Sequence, residues 1–214
     1  MPQTIIDLSA PDSNELSNRR SKVTEEYRTH QMASLFLVHA GDDYAAARCL
    51  IMNGLAAGFP LGAQALEKIM KALLHFKVST EVANKERRHR LEKIFDQLKI
   101  YYPSVNQVHR KLCLNFSKHY RWRYPDDEGQ SKLMSGDEIR GLDSAFIHFL
   151  EAIPVSLEFR MRHATFTAML DLKRPILGNK KYYMTADNAA FNAVQAKWSK
   201  DFSDVYEYLY PDQE

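Results

Sequence analysis

The amino-acid sequence predicts an all-α fold, an antiparallel helical bundle with additional C-terminal helices. Apolar residues recur at spacings near 3.6 in every long segment, and no alternating apolar run marks a strand. The 214 residues include only eight Gly and eight Pro, too few for a sandwich with many tight turns. Hydrophobic residues make up 45% and charged residues 26%, a globular composition able to bury a sizeable core.

Residues 1–20 carry Pro, Ser, Asn and Asp with little apolar content and read as an N-terminal arm. From Ser21 the pattern turns helical, with Ser21 and Thr24 as N-cap candidates and Glu25 and Glu26 suited to a first turn. Gly41 and Asp42 either interrupt or punctuate this helix, and DDYAAARCLIMNG ends at Gly54. Gly58 and Pro60 open the next helix, with Leu66, Ile69, Leu73 and Phe76 along it and Glu67 and Lys71 as an i,i+4 pair. A polar link, KVSTEVANKERR, follows. Leu91, Ile94, Phe95, Leu98 and Tyr102 mark another amphipathic helix, stopped by Pro103. Ser104 is placed to cap a further helix with Val105, Val108, Leu112 and Phe116 on one face, ending before Pro125.

PDDEGQSKLMSG reads as a loop, after which Ser135 and Glu138 fit a capping box. Ile139, Leu142, Phe146, Phe149, Leu150, Ile153 and Leu157 then keep helical period, with Pro154 expected to kink or break the run. A final helix from about Ala186 carries Phe191, Val194, Trp198, Phe202, Val205 and Leu209 on one stripe. The chain thus divides into the arm at 1–20, a bundle over 21–127 and a C-terminal helical extension over 128–214 packed on it. The two C-terminal stripes are apolar enough to leave surface for a homodimer.

No run approaches 18 apolar residues and the N-terminus lacks a charged region followed by an apolar core, so neither a membrane span nor a secretory signal is expected. Cys49 and Cys113 form no CxxC pair and fit small buried hydrophobes in a reducing, cytoplasmic setting. No HExxH, P-loop or GxGxxG occurs, and nothing points to a metal or a cofactor. Net charge is +2 but unevenly spread. Lys85 to Arg123 holds eleven basic and three acidic residues, net +8, against −6 for the remainder. Such asymmetry suits an anionic partner, although two solvated helix faces would look the same.

Three stretches carry a resemblance. DDYAAARCLIMNGLAAGF has Asp-Tyr and Ala-Arg ahead of a Gly-containing turn, LGAQALEKIMKALL contains Gln-Ala-x-Glu-Lys-x-x-Lys-Ala, and HRLEKIFDQL opens on His-x-Leu. With the Arg-Tyr-Pro-Asp ending of KHYRWRYPDD, they resemble in order and spacing the HEPN domain, the helical module of higher eukaryotes and prokaryotes, over roughly residues 34 to 127. The resemblance implies bundle architecture, frequent dimerisation, and work on nucleotides or RNA. Many members are ribonucleases paired with a nucleotidyltransferase in toxin-antitoxin systems.

Those nucleases resemble one another in an Arg-x(4–6)-His motif. None of the eight histidines here has an arginine five, six or seven residues before it; Arg140 and His148, with seven intervening residues, come nearest. No catalytic residue is therefore assigned. The expectation is a non-catalytic nucleotide- or RNA-binding protein, with a nucleotidyltransferase partner among its partners and no membrane. A degenerate ribonuclease using Arg140 with His148 or Arg160 with His163, and a dimeric scaffold without ligand, are the alternatives.

The binding residues expected are Arg87, Arg88, Arg90, Lys118, Arg121, Arg123 and Tyr124. Antiparallel helices 89–102 and 105–123 would bring them to one end, where Arg121, Trp122, Arg123 and Tyr124 interleave cations with rings that can stack bases. Arginines complementing a helix end would give the same pattern, and acidic Asp126, Asp127 and Glu128 could neutralise it internally. His89 reads as a helix cap or packing residue, and Arg48, one turn after Tyr44, as a snorkelling arginine beside a core tyrosine.

Overall fold

The structure, a computed structural model, describes residues 13–78, 80–83, 89–119, 136–153 and 180–195. Its elements are α1 (Ser13–Met52), α2 (Gly58–His75), α3 (Thr80–Ala83), α4 (Leu91–Tyr101), α5 (Val108–His119), α6 (Gly136–Glu151) and α7 (Lys180–Thr185). Residues 189–195 are helical too, and no strand occurs among the described residues. The fold is all-α.

The first helix is longer than the sequence pattern indicated. It starts at Ser13, inside the segment read as an arm, and runs through Gly41 without a break. Glu15, Leu16, Arg19, Arg20 and Lys22 are strong helix formers, enough to extend the helix ahead of the first apolar stripe. Gly54, at φ 74°, ends the turn after α1 in the left-handed conformation that glycine adopts without penalty.

α2 is the centre of the bundle. Leu66, Ile69, Leu73 and Leu74 are fully buried, and its neighbours are α1, α4, α5 and α6. Each such side chain contributes about 1.5–3 kcal/mol by leaving water. Glycine lets two neighbours close in: a Cβ on Gly58 would fall 2.7 Å from the Ala47 carbonyl oxygen of α1, and one on Gly62 would fall 2.8 Å from the Phe116 ring of α5. Tyr102, just past α4, donates its hydroxyl to the Leu73 carbonyl at 2.9 Å.

α5 starts four residues after Ser104. Asn106 caps it, its Oδ1 accepting the Val108 amide at 3.0 Å. The later start changes the buried face: Val108 is 65% exposed, whereas His109, Cys113 and Phe116 turn inward and Val105 is buried from the preceding turn. α6 ends at Glu151, ahead of Pro154, with Leu142, Phe146, Phe149 and Leu150 in the common core. The stop before Pro125, the loop up to Ser135, Pro154, Leu157 and the stripe from Trp198 lie outside the described residues.

Candidate functional site

The short link after α4 makes α4 and α5 neighbours, and one hydrogen bond fixes how their ends meet. The Leu91 amide, at the start of α4, donates to Ser117 Oγ, near the end of α5, at 2.9 Å. Ser117 in turn donates to Glu92 Oε2 at 2.8 Å. Arg90 and Lys118 follow on either side of this contact, so both sit at the same end of the bundle. Lys118 is exposed and Arg90 partly buried. Arg87, Arg88, Arg121, Arg123 and Tyr124 lie outside the described residues.

Other cations of the basic stretch are engaged elsewhere. Arg110 grips Asp96 through two hydrogen bonds, Nε–Oδ1 at 2.6 Å and Nη2–Oδ2 at 2.8 Å. That bond holds the Asp96 carboxyl below its usual range and raises the Arg110 guanidinium. Lys99 donates to the carbonyls of Pro103 and Val105, tying down the far turn.

Beside the Leu91–Ser117 contact lies a group that sequence reasoning split between two helices. Glu67 and Lys71 form the expected pair on α2, Nζ to Oε1 at 2.7 Å, with side chains only 8% and 11% exposed. The other carboxylate oxygen of Glu67 meets His89 Nδ1 at 2.7 Å. A carboxylate accepts, so Nδ1 is the donating nitrogen. His89 does not cap α4; Arg90 holds the N-cap position, and its side chain makes no capping hydrogen bond. His89 instead takes φ 54°, a left-handed conformation costing about 1–2 kcal/mol outside glycine. Its side chain is 58% exposed while the carboxylate beneath it is nearly covered. A buried carboxylate that orients an accessible imidazole can position it against a ligand or steer its proton.

A second polar cluster joins the N- and C-terminal parts of the chain. Arg48 is fully buried and paired with Asp143 of α6, itself 3% exposed. This overturns the snorkelling reading: the guanidinium points into the protein because a carboxylate and two carbonyls meet it there. Its Nε donates to the Tyr183 carbonyl at 2.6 Å, and Nη2 donates to that of Ala186. Tyr44 donates to Asp143 Oδ1 at 2.8 Å and receives a bond from Asn188 Nδ2, also at 2.8 Å. Burial, then the Asp143 charge, pushes the Tyr44 phenol well up. Burial also raises the Asp143 carboxyl, against the pull of Arg48.

A cleft of ≈ 840 Å³ opens beside this cluster, lined by Arg48, Ile51, Met52, Ile139, Arg140 and Asn192 among others. Arg140 reaches Asp137 across one turn. It does not approach His148, which lies eight residues on, about 12 Å along the same helix. His148 instead lies against His109, ring centroids 5.0 Å apart and planes tilted by 42°. Arg160 and His163 lie outside the described residues.

Among the described residues no group of three or more His, Cys, Asp or Glu side chains could hold a metal ion, and no helix is long and apolar enough to cross a membrane. Cys113 is buried, which pushes its thiol up to about 12. No protein-family model, curated protein or solved structure matches the chain.

Proposed function

We propose that the chain is a HEPN-like protein that binds a nucleotide or RNA through its phosphates at the end of the bundle where α4 begins and α5 finishes. The observation that carries this reading is the Leu91–Ser117 hydrogen bond, which sets Arg90 and Lys118 at one end. Arg87, Arg88, Arg121 and Arg123 adjoin them in sequence. Arg110, in its bidentate pair with Asp96, and Lys99, bonded to the turn after α4, are held within the protein and stand apart from this end. A homodimer and a nucleotidyltransferase partner in a toxin-antitoxin setting are further proposals, supported by the resemblance alone.

The test replaces Arg88, Arg90, Lys118, Arg121 and Arg123 with alanine, singly and together, and titrates each variant with single-stranded RNA and with nucleotides at two salt concentrations. Each phosphate contact removed flattens the slope of log affinity against log salt by about 0.7. Unchanged affinity and slope in a folded multiple variant would mean that this end is only a solvated surface.

A further inference from the structure

The turn between α4 and α5, residues 102–107, is fastened at two points, one on each neighbouring helix. On α4, Lys99 donates to the carbonyls of Pro103 and Val105. On α6, His148 Nε2 accepts the Asn106 amide at 3.2 Å. We propose that the second point is an acid-released latch: a proton taken up by His148 undocks this turn and the first turn of α5 from α6, while the remainder of the bundle stays folded. The latch lies at the end opposite the one proposed to meet phosphate and does not depend on that reading.

Three observations lead to it. First, a ring nitrogen that accepts an amide N–H carries no proton, so the docked turn requires a neutral His148. A proton on Nε2 turns that acceptor into a donor and sets two N–H groups against each other. Secondly, the residue released is the cap of α5. Asn106 Oδ1 accepts the Val108 amide at 3.0 Å, and the Asn106 carbonyl accepts the His109 amide at 3.2 Å. Freeing Asn106 from α6 therefore loosens the start of the helix with it. Thirdly, that first turn carries a second imidazole. His109 is buried, its ring centroid 5.0 Å from that of His148 and 5.8 Å from that of Phe149. Once His148 is charged, His109 gains a proton only by moving out into water, because like charges at that spacing repel and burial disfavours the second. Both protonations pull the turn the same way.

The titratable groups around the pair come from each packed element. α4 supplies Lys99, whose charge opposes one on His148; Glu151, a turn further along α6, favours it; burial prevails and lowers His148. α5 supplies His109, which burial and then His148 push down to about 4. Arg110, beside it, is held by Asp96. α2 brings His75, stacked on Phe36 of α1, and Lys77, over the Tyr102 ring, to the same end. Lys99 keeps its charge across the physiological range, so the fastening to α4 persists and the turn swings from it. Docking needs the neutral rings. It is complete above about 6.5, the ordinary imidazole value, and is lost as pH falls below it.

The experiment is hydrogen exchange of the full chain, followed by mass spectrometry at pH 7 and pH 5, with labelling times scaled to the intrinsic chemical rate at each pH. Expected at pH 5 is a loss of protection over residues 106–112 on the order of tenfold, with residues 66–74 of α2 still far more protected than that stretch. His148→Gln keeps an oxygen where Nε2 accepts and does not titrate, so it should hold residues 106–112 closed at pH 5. His148→Lys carries a charge at both pH values and should leave the stretch open at pH 7 already. Circular dichroism confirms that each variant is folded, and the parent profile decides even where a variant is not. Protection unchanged at pH 5 in the parent, loss of protection in α5 and α2 together, or an equal loss in folded His148→Gln overturns the latch.

Discussion

Arg48 and Asp143, 95 residues apart in sequence, meet as an ion pair from which water is excluded. Neither charge can be removed alone without stranding the other. Arg48→Met or Asp143→Leu should each destabilise the protein by about 3–5 kcal/mol, and the double variant should recover most of that loss. Urea denaturation of the four species gives the coupling directly. Additive losses would show that the two groups act independently.

Tyr44, Asp143 and Asn188 extend the same cluster. Asn188 also caps the helical residues 189–195, its Oδ1 accepting the Phe191 amide at 3.0 Å. Asn188→Ala removes the cap and the donor to Tyr44 together. The expected cost is about 1–2 kcal/mol from the cap alone, with a further loss for the buried phenol. Asn188→Asp restores the cap but sets a second carboxylate beside Asp143 and Tyr44, so it should be no better than alanine. Thermal unfolding of the two variants side by side checks this.

Glycine positions offer a packing test with an internal control. Gly58→Ala forces a methyl against the Ala47 backbone and should cost about 1–3 kcal/mol. Gly136→Ala at the start of α6 meets nothing closer than the Arg140 side chain at 3.6 Å. It should stabilise by about 0.4–1 kcal/mol, through the unfolded chain. Equal effects at the two sites would contradict the close approach of α1 and α2.

Acid should loosen the bundle through the His109–His148 pair. Burial, then the nearness of His148, pushes His109 down to about 4, and burial lowers His148 also. His148 Nε2 accepts the Asn106 amide at 3.2 Å, as a neutral ring does. The folded state therefore binds fewer protons than the unfolded chain, whose histidines titrate near about 6.5. Stability is present in full above that pH and falls as pH drops toward 4. A loss on the order of 1 kcal/mol is expected at pH 5, reduced in His109→Gln. Denaturant midpoints at pH 7 and pH 5 decide it.

The parts of this fold that were legible in the sequence are those set by local periodicity. Leu66, Ile69 and Leu73 announced α2, and Pro103 announced the end of α4. The polar contacts were legible only where both partners share a helix, as Glu67 and Lys71 do. Arg48 gave no local sign of its partner. One was present at the other end: Asp143 interrupts an apolar stripe, one residue after Leu142 and three before Phe146, and a charge in that position needs a countercharge. The start of α5 was misplaced because Ser104 and Asn106 are both competent caps, and only tertiary packing chooses between them. His89 was legible as the start of a helix motif, but its bond to Glu67 depends on how α2 and α4 lie together.

The Arg48 cluster also bears on the order in which the chain is made. Its partners follow it by 95 to 138 positions, at Asp143, Tyr183 and Ala186. At about 5–20 residues per second a ribosome needs roughly 5–30 s to deliver them. Throughout that interval α1 and α2 are already synthesised and can pair, while the guanidinium must stay in water. α1 therefore cannot settle fully until translation has passed Ala186. A nascent chain halted before that point would carry an unfinished α1 face, an opening for chaperones or for a second chain.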